Sequence, residues 1–178
     1  FHIQDDTHNG FKKMTKNESE KTKRIMTREG NPYYLYKDTA HSRLSPFKPE
    51  WIEELIVVND NDPENKNVVF NNGHFLHQFT YFIGNVNFYY ILDGIKKVSV
   101  MNTGDSMYIS PYVPHSFATR KNNENKNGVI LALTYSDKLN YNCIDELSAI
   151  GTELSIKFKL DLENKLKSFK SNLNYYLK

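Results

Sequence analysis

Cysteine is nearly missing from this chain: Cys143 is the only one in 178 residues, so no intrachain disulfide can form and a cysteine-based zinc site is excluded. That usage suits a reducing, cytoplasmic setting. No apolar run approaches the length of a membrane span or the core of a signal peptide, so no membrane association is expected. An excess of one charge is lacking too. The 23 basic and 21 acidic residues lie along the whole length and leave a formal charge of +2, and without a basic block nothing argues for nucleic acid as a partner. Glycine (8) and proline (6) are few, which makes their positions informative.

What is present is enough for one core. Hydrophobic residues make up 39% of the chain, with 12 Tyr and 11 Phe, and the length suits one ordinary domain plus some extra helix. The chain opens on Phe1 rather than methionine, which leads us to expect a piece of a longer polypeptide. Residues 1–30 are polar and read as an N-terminal arm with some helix around Glu18 to Thr27. After Asn31-Pro32 the texture becomes β-prone at Tyr33-Tyr34-Leu35-Tyr36. A loop carrying Pro46 and Pro49 then leads into Glu50 to Val58, which starts as a helix-like mix and ends β-branched.

From Val68 to Tyr135 short β-like runs alternate with punctuation at Asn71 to Gly73, Gly84-Asn85, Asp93-Gly94, Asn102 to Gly104, Pro111 to Pro114 and Lys121 to Gly128. This rhythm indicates an antiparallel sandwich or barrel rather than alternating βαβ units. Residues 31–139 are therefore expected to form the barrel and residues 140–178 a mostly helical C-terminal segment. Asp137 to Ile150 looks helical, and Leu162, Leu166, Phe169, Leu173 and Tyr176 recur at helical spacing. Between them Leu154, Ile156, Phe158, Leu160 and Leu162 alternate with polar residues, which leaves strand and helix both open for 153–161.

The chemistry concentrates between Asn71 and His115. His74 and Gln78 lie four apart on one segment, and His115 closes another. In a strand, side chains at even separation share a face, so His74, Leu76 and Gln78 would point one way and Phe75, His77 and Phe79 the other. Parity thus removes His77 from the set. His115 follows Pro111-Tyr112-Val113-Pro114, a stiff corner that leaves its imidazole little freedom to lose. His2, His8 and His41 lie in polar or loop segments and are expected in solvent. Two His and one oxygen donor leave open positions on a metal, the arrangement used by non-haem Fe(II) enzymes that bind substrate and dioxygen together. With Gln78 as a neutral donor, more positive charge stays on the metal, which favours an anionic, chelating substrate.

Gly73-His74, Gln78, Gly104-Asp105, Pro111 and Pro114-His115 resemble the paired motifs of the cupin superfamily. In detail, Asn71 through Gly84 and Met101 through Ile109 resemble the iron-dependent phosphonate oxygenases of that superfamily, a likeness running from about Asn31 to Leu139. It implies a mainly β fold, the cupin or jelly-roll barrel (a double-stranded β-helix) with flanking helices, and Fe(II) held by His74, Gln78 and His115. One branch of the family has a Glu four residues after its first His, where this chain has Gln78. Another has a Glu six residues before its second His, where this chain has Ile109. Gln78 with Ile109 is the combination of the branch that uses O2 to cleave the C–C bond of 2-hydroxyethylphosphonate and release methylphosphonate, with no 2-oxoglutarate or flavin. The family's spacing also carries phosphonate binding onto Arg28, Tyr34, Tyr36 and Asn71. A Lys from an N-terminal region completes that pocket in the family; among Lys12, Lys13, Lys16, Lys21 and Lys23 no flanking motif selects one. The resemblance further implies a homo-oligomer or part of a longer two-cupin chain. Rival outcomes are conversion of the same substrate to hydroxymethylphosphonate and formate, a non-catalytic anion-binding cupin, and a sugar or metabolite isomerase on the same barrel.

Overall fold

The computed structural model describes residues 5–123, 126–135, 149–158, 160, 161 and 164. A short helix, α1 (Lys16–Lys21), precedes ten strands: β1 (Arg24–Arg28), β2 (Asn31–Asp38), β3 (Phe47–Glu54), β4 (Val57–Val58), β5 (His77–Ile83), β6 (Val86–Leu92), β7 (Ile95–Met101), β8 (Ser106–Ile109), β9 (His115–Arg120) and β10 (Val129–Tyr135). They form a six-stranded sheet in the order β1-β2-β3-β10-β5-β8 and a four-stranded sheet in the order β4-β9-β6-β7. All pairings are antiparallel except β4 with β9. This is the cupin-type sandwich, with neighbouring strands that are far apart in sequence.

Alternation builds the core. Along β5 the even residues Gln78, Thr80 and Phe82 are buried while Phe79 and Tyr81 face outward, the period of two expected when one face packs against a second sheet. Phe82, Ile52, Ile130 and Ala132 of the large sheet meet Val86, Phe88 and Phe117 of the small one, with Tyr33, Tyr34 and Ile109 completing the cluster. Asp93 and Gly94, both at positive φ (53° and 75°), form the two-residue β6–β7 hairpin turn whose twist matches the flanking strands.

Several sequence expectations shift. The N-terminal helix is short and ends at Lys21: Thr15 and Glu18 form a reciprocal capping box at its start, which satisfies two otherwise orphaned N–H groups. Arg24–Arg28 is not helical but an edge strand paired with β2, so the strands begin at Arg24 rather than Asn31. Its side chains are mostly exposed, and an edge strand with two solvated faces shows no apolar alternation to read. Glu50-Trp51 is strand throughout, inside β3. Pro49 is tolerated there because the β2 ladder ends at Asp38 and Glu50; only Leu133 of β10 pairs with it. Residues 152–158 are helical, which decides between the two readings of that stretch. The other expected C-terminal helices fall almost wholly outside the described residues. No helix among the described residues is long and apolar enough to cross a membrane.

Candidate metal centre and anion pocket

The link from β4 to β5 and the start of β9 are laced together by Asn71. Its N–H donates to the His115 carbonyl at 3.0 Å, while its Oδ1 accepts from the N–H of Gly73 at 2.9 Å and of His115 at 2.8 Å. Gly73 has φ of +76°, and a Cβ there would lie 2.5 Å from the backbone carbon of Tyr112. Only glycine permits both that conformation and that approach. The N–H of Tyr112 in turn donates to the His74 carbonyl at 2.9 Å, so the close crossing sets the backbone that carries His74.

His74 is therefore in the lead-in to β5 and not in the strand, which begins at His77. It still meets Gln78: His74 Nε2 lies 3.0 Å from Gln78 Oε1. His77 points away, stacking on Tyr135 and Tyr108 with its Nδ1 2.5 Å from the Tyr108 hydroxyl. His77 thus lies apart from His74 and Gln78, and what turns it away is a bend before the strand rather than strand parity across all five residues. The His74 and His115 rings sit edge to face with centroids 5.1 Å apart.

Both imidazoles are fixed in one tautomer. His74 Nδ1 lies 2.8 Å from the Leu76 carbonyl and His115 Nδ1 2.8 Å from the Val113 carbonyl. A carbonyl only accepts, so each Nδ1 carries the hydrogen and each Nε2 presents a lone pair to the interior. Burial lowers both pKa values; His115, also facing His74 and Arg28, falls to about 3. Neutral imidazoles are the form that binds metals. Gln78 is oriented by donating from its Nε2 to Thr80 Oγ1 at 2.8 Å. Its Oε1 and the unprotonated His74 Nε2 are then two lone-pair donors facing each other, an arrangement that a cation between them satisfies. The donor set fits a divalent metal. Among the described residues no group of three His, Cys, Asp or Glu could hold one, so a centre here depends on the glutamine.

Beside these donors lies a cavity of about 80 Å³ lined by Arg28, Tyr34, Tyr36, Ile52, Asn71, His74, Gln78, His115, Phe117 and Ile130. One water needs roughly 10–15 Å³ on the same measure, so the space suits a small polar molecule. The fold thus gathers seven of the eight residues singled out from the sequence around one cavity. The eighth, Ile109, is buried in the core as the cross-strand partner of Gln78. Arg28 reaches in from β1 between the rings of Tyr33 and Tyr34, each 4.8 Å from its guanidinium carbon. Its Nη1 donates to the Val69 carbonyl and, at 3.1 Å, to Ser116 Oγ.

The two tyrosines differ. The Tyr34 hydroxyl accepts from the Phe117 N–H at 3.0 Å and lies 3.3 Å from Ser116 Oγ, so it is committed to holding β9. The Tyr36 hydroxyl meets no hydrogen-bond partner among the described residues and is the one left for a ligand. Sequence reasoning passed over Ser116, Tyr33 and Thr80. Thr80 was findable, since it shares a strand face with Gln78; Ser116, 2.9 Å from the Tyr33 hydroxyl, gave no signal beyond following His115. No lysine lines the cavity among the described residues: Lys12 pairs with Asp6 and Lys23 with Glu20.

No family model matches the chain. It is 51% identical over 175 residues to methylphosphonate synthase of Nitrosopumilus maritimus (strain SCM1), a match covering 98% of this chain and 38% of that protein. Nearly the whole of this chain is thus similar to one part of that enzyme. Among solved structures, Streptomyces albus HEPD with its substrate 2-hydroxyethylphosphonate and Fe(II) bound matches with a TM-score of 0.68 and 45% identity, covering 81% of this chain and 32% of that one. The hydroxypropylphosphonic acid epoxidase from S. wedmorenis, at 21% identity and a TM-score of 0.56 over 74% of this chain and 63% of that one, shares the fold. The chain therefore spans little more than a third of the length of the curated methylphosphonate synthase it matches.

Proposed function

We propose that the chain carries the active site of an Fe(II)-dependent oxygenase that cleaves the C–C bond of 2-hydroxyethylphosphonate to give methylphosphonate. The observation that carries this reading is one cavity in which Arg28, Tyr36 and Asn71 stand beside two neutral imidazoles and an amide oxygen. Its support from relatives is the 51% identity to methylphosphonate synthase. His74, Gln78 and His115 would hold the iron, which when bound supplies a Lewis acid and a site for reducing dioxygen.

The protein's own contribution is binding, orientation and exclusion of water. The Arg28 guanidinium, already fixed by Val69, Ser116 and two aromatic faces, offers a planar set of donors to phosphonate oxygens. The Asn71 amide nitrogen, 3.2 Å from His115 Nε2, points at the junction of the anion and metal sides, because its oxygen is tied to two backbone N–H groups. Tyr36 adds a neutral hydrogen bond. Ile52, Phe117 and Ile130 wall the cavity with apolar surface, which strengthens every electrostatic contact inside it. With no carboxylate among the metal donors, the charge of the cation is left for the dianion and the hydroxyl of the substrate. One substrate and one O2 balance against methylphosphonate, carbon dioxide and water, so the substrate supplies all the electrons.

The test is anaerobic loading with Fe(II) and substrate, addition of oxygen, and phosphorus NMR of the products. A methylphosphonate signal is expected; hydroxymethylphosphonate with formate in its place overturns the assignment.

A further inference from the structure

Glu54 ends β3 fully buried, at 0% exposure. Its cross-strand partner is Tyr34, as Tyr36 is the partner of Ile52. Residues opposite each other on a ladder, and residues two apart along a strand, share a face. Glu54 therefore leaves the sheet on the face that carries Tyr34, Tyr36 and Ile52 to the cavity. Its main chain is fully used: the N–H donates to the Gly128 carbonyl at 2.9 Å and the carbonyl accepts from Thr119 Oγ1 at 2.6 Å. Its carboxyl is not, for neither oxygen has a hydrogen-bond partner among the described residues.

A carboxylate buried with no donor costs several kcal/mol, whereas the neutral acid costs far less. The charged and titratable groups around it are Arg28 on β1, Tyr33, Tyr34 and Tyr36 on β2, and Glu53 beside it in β3. From β9 and the lead into β10 it meets Thr119 and Gly128, which do not ionise. Arg28 is the only cation of this set, and burial outweighs its pull, so the Glu54 pKa is driven well above the ordinary carboxylate value. Arg28 makes no ion pair among the described residues; its contacts are a carbonyl, a hydroxyl and two aromatic rings.

We propose that Glu54 sets the charge of the anion pocket: held as a neutral acid it leaves the Arg28 charge for the ligand, and ionised it cancels that charge from inside the barrel. The proposal rests on the reading of Arg28 as the phosphonate-binding group. It makes Glu54 a positioning residue that acts through Arg28 and touches neither the substrate nor the metal. A dianion seated beside Arg28 holds the proton on Glu54 more firmly, and loss of that proton at alkaline pH weakens the grip on the anion.

The experiment measures the affinity of the Fe(II)-loaded full chain under argon for 2-hydroxyethylphosphonate and, separately, for inorganic phosphate, from neutral to alkaline pH. Wild-type protein and Glu54→Gln, which stays neutral throughout, are compared. The expected result is a fall in wild-type affinity about tenfold steeper than that of the variant. Parallel profiles for both anions overturn the proposal, and so does tighter binding by Glu54→Gln at neutral pH, which would mean that Glu54 is ionised there. If phosphate shows the Glu54-dependent fall and the phosphonate does not bind, it is the phosphonate reading that fails. An infrared spectrum of the wild-type protein at neutral pH gives a check that needs no variant. Glu54 is the only buried acid among the described residues, so a protonated carboxyl band is expected, and its absence overturns the proposal.

Discussion

Gln78 on β5 and Ile109 on β8 are register partners, 5% and 3% exposed, so the proposed neutral metal donor has an aliphatic side chain as its neighbour across the ladder. Ile109→Glu sets a buried carboxyl beside it. Without a cation that group is an unpaired buried charge, expected to cost about 3–5 kcal/mol; Fe(II) gives it a partner. The variant should therefore gain more in Tm from Fe(II) than the wild type does, and phosphorus NMR should show a smaller share of methylphosphonate among the products. Equal gains in Tm would show that position 109 does not reach the metal.

Thr80 holds the Gln78 amide with its oxygen toward His74. In Thr80→Val the amide is free to turn and present nitrogen to the site, and loss of such an orienting partner typically weakens metal binding by about 10–100-fold. Iron titration of the variant against wild type measures this. Little change is expected in the pH at which the protein unfolds.

Gly73→Ala forces a Cβ against the Tyr112 backbone at positive φ. The expected loss is about 1–3 kcal/mol in stability, together with weaker iron binding because the His74 backbone moves. Chemical denaturation and iron titration should change together; a stability loss with intact iron affinity would separate the crossing from the metal site.

Arg28→Lys keeps the charge but gives up the planar donor set and the fit between Tyr33 and Tyr34. We expect phosphonate affinity to drop about 10–100-fold, or about 1.4–2.7 kcal/mol, while iron affinity stays close to wild type. A parallel fall in both would place Arg28 in the support of the fold instead.

Glu54 also makes stability depend on pH. Its folded pKa is raised above the unfolded value, so between the two the native state holds a proton that the unfolded chain has released. Its contribution is complete below the ordinary glutamate range and is lost as pH rises toward the folded pKa, at about 1.4 kcal/mol per pH unit. The wild type should lose Tm relative to Glu54→Gln on going from acid to mildly alkaline pH, and a constant difference between the two would contradict the assignment.

The parts of this molecule that were legible in the sequence share one property: each is set by local chemistry. Asp93-Gly94, the stiff corner before His115 and the β-rich rhythm from Val68 to Tyr135 announce turns and strands without reference to anything distant. Arg28, Tyr34, Tyr36 and Asn71 were reached through family spacing, since nothing local ties an exposed-looking edge strand to a cavity. What stayed hidden depends on contacts across the sandwich. Ser116 gains its importance from Arg28, Tyr33 and Tyr34, and Glu54 looks like any surface acid beside Glu53 until the register with Tyr34 turns it inward. The bend that carries His74 out of strand geometry depends on Tyr112, far along the chain.

The three proposed metal donors come from both sheets: His74 and Gln78 from β5 and its lead-in, His115 from the first residue of β9. An ion held by all three would act as a rivet through the sandwich, so that prising the sheets apart and emptying the site become one event. Bound at a hundred times its dissociation constant, it would add about 2.7 kcal/mol against unfolding. The durability of the protein and its readiness to react would then be governed by the same iron supply.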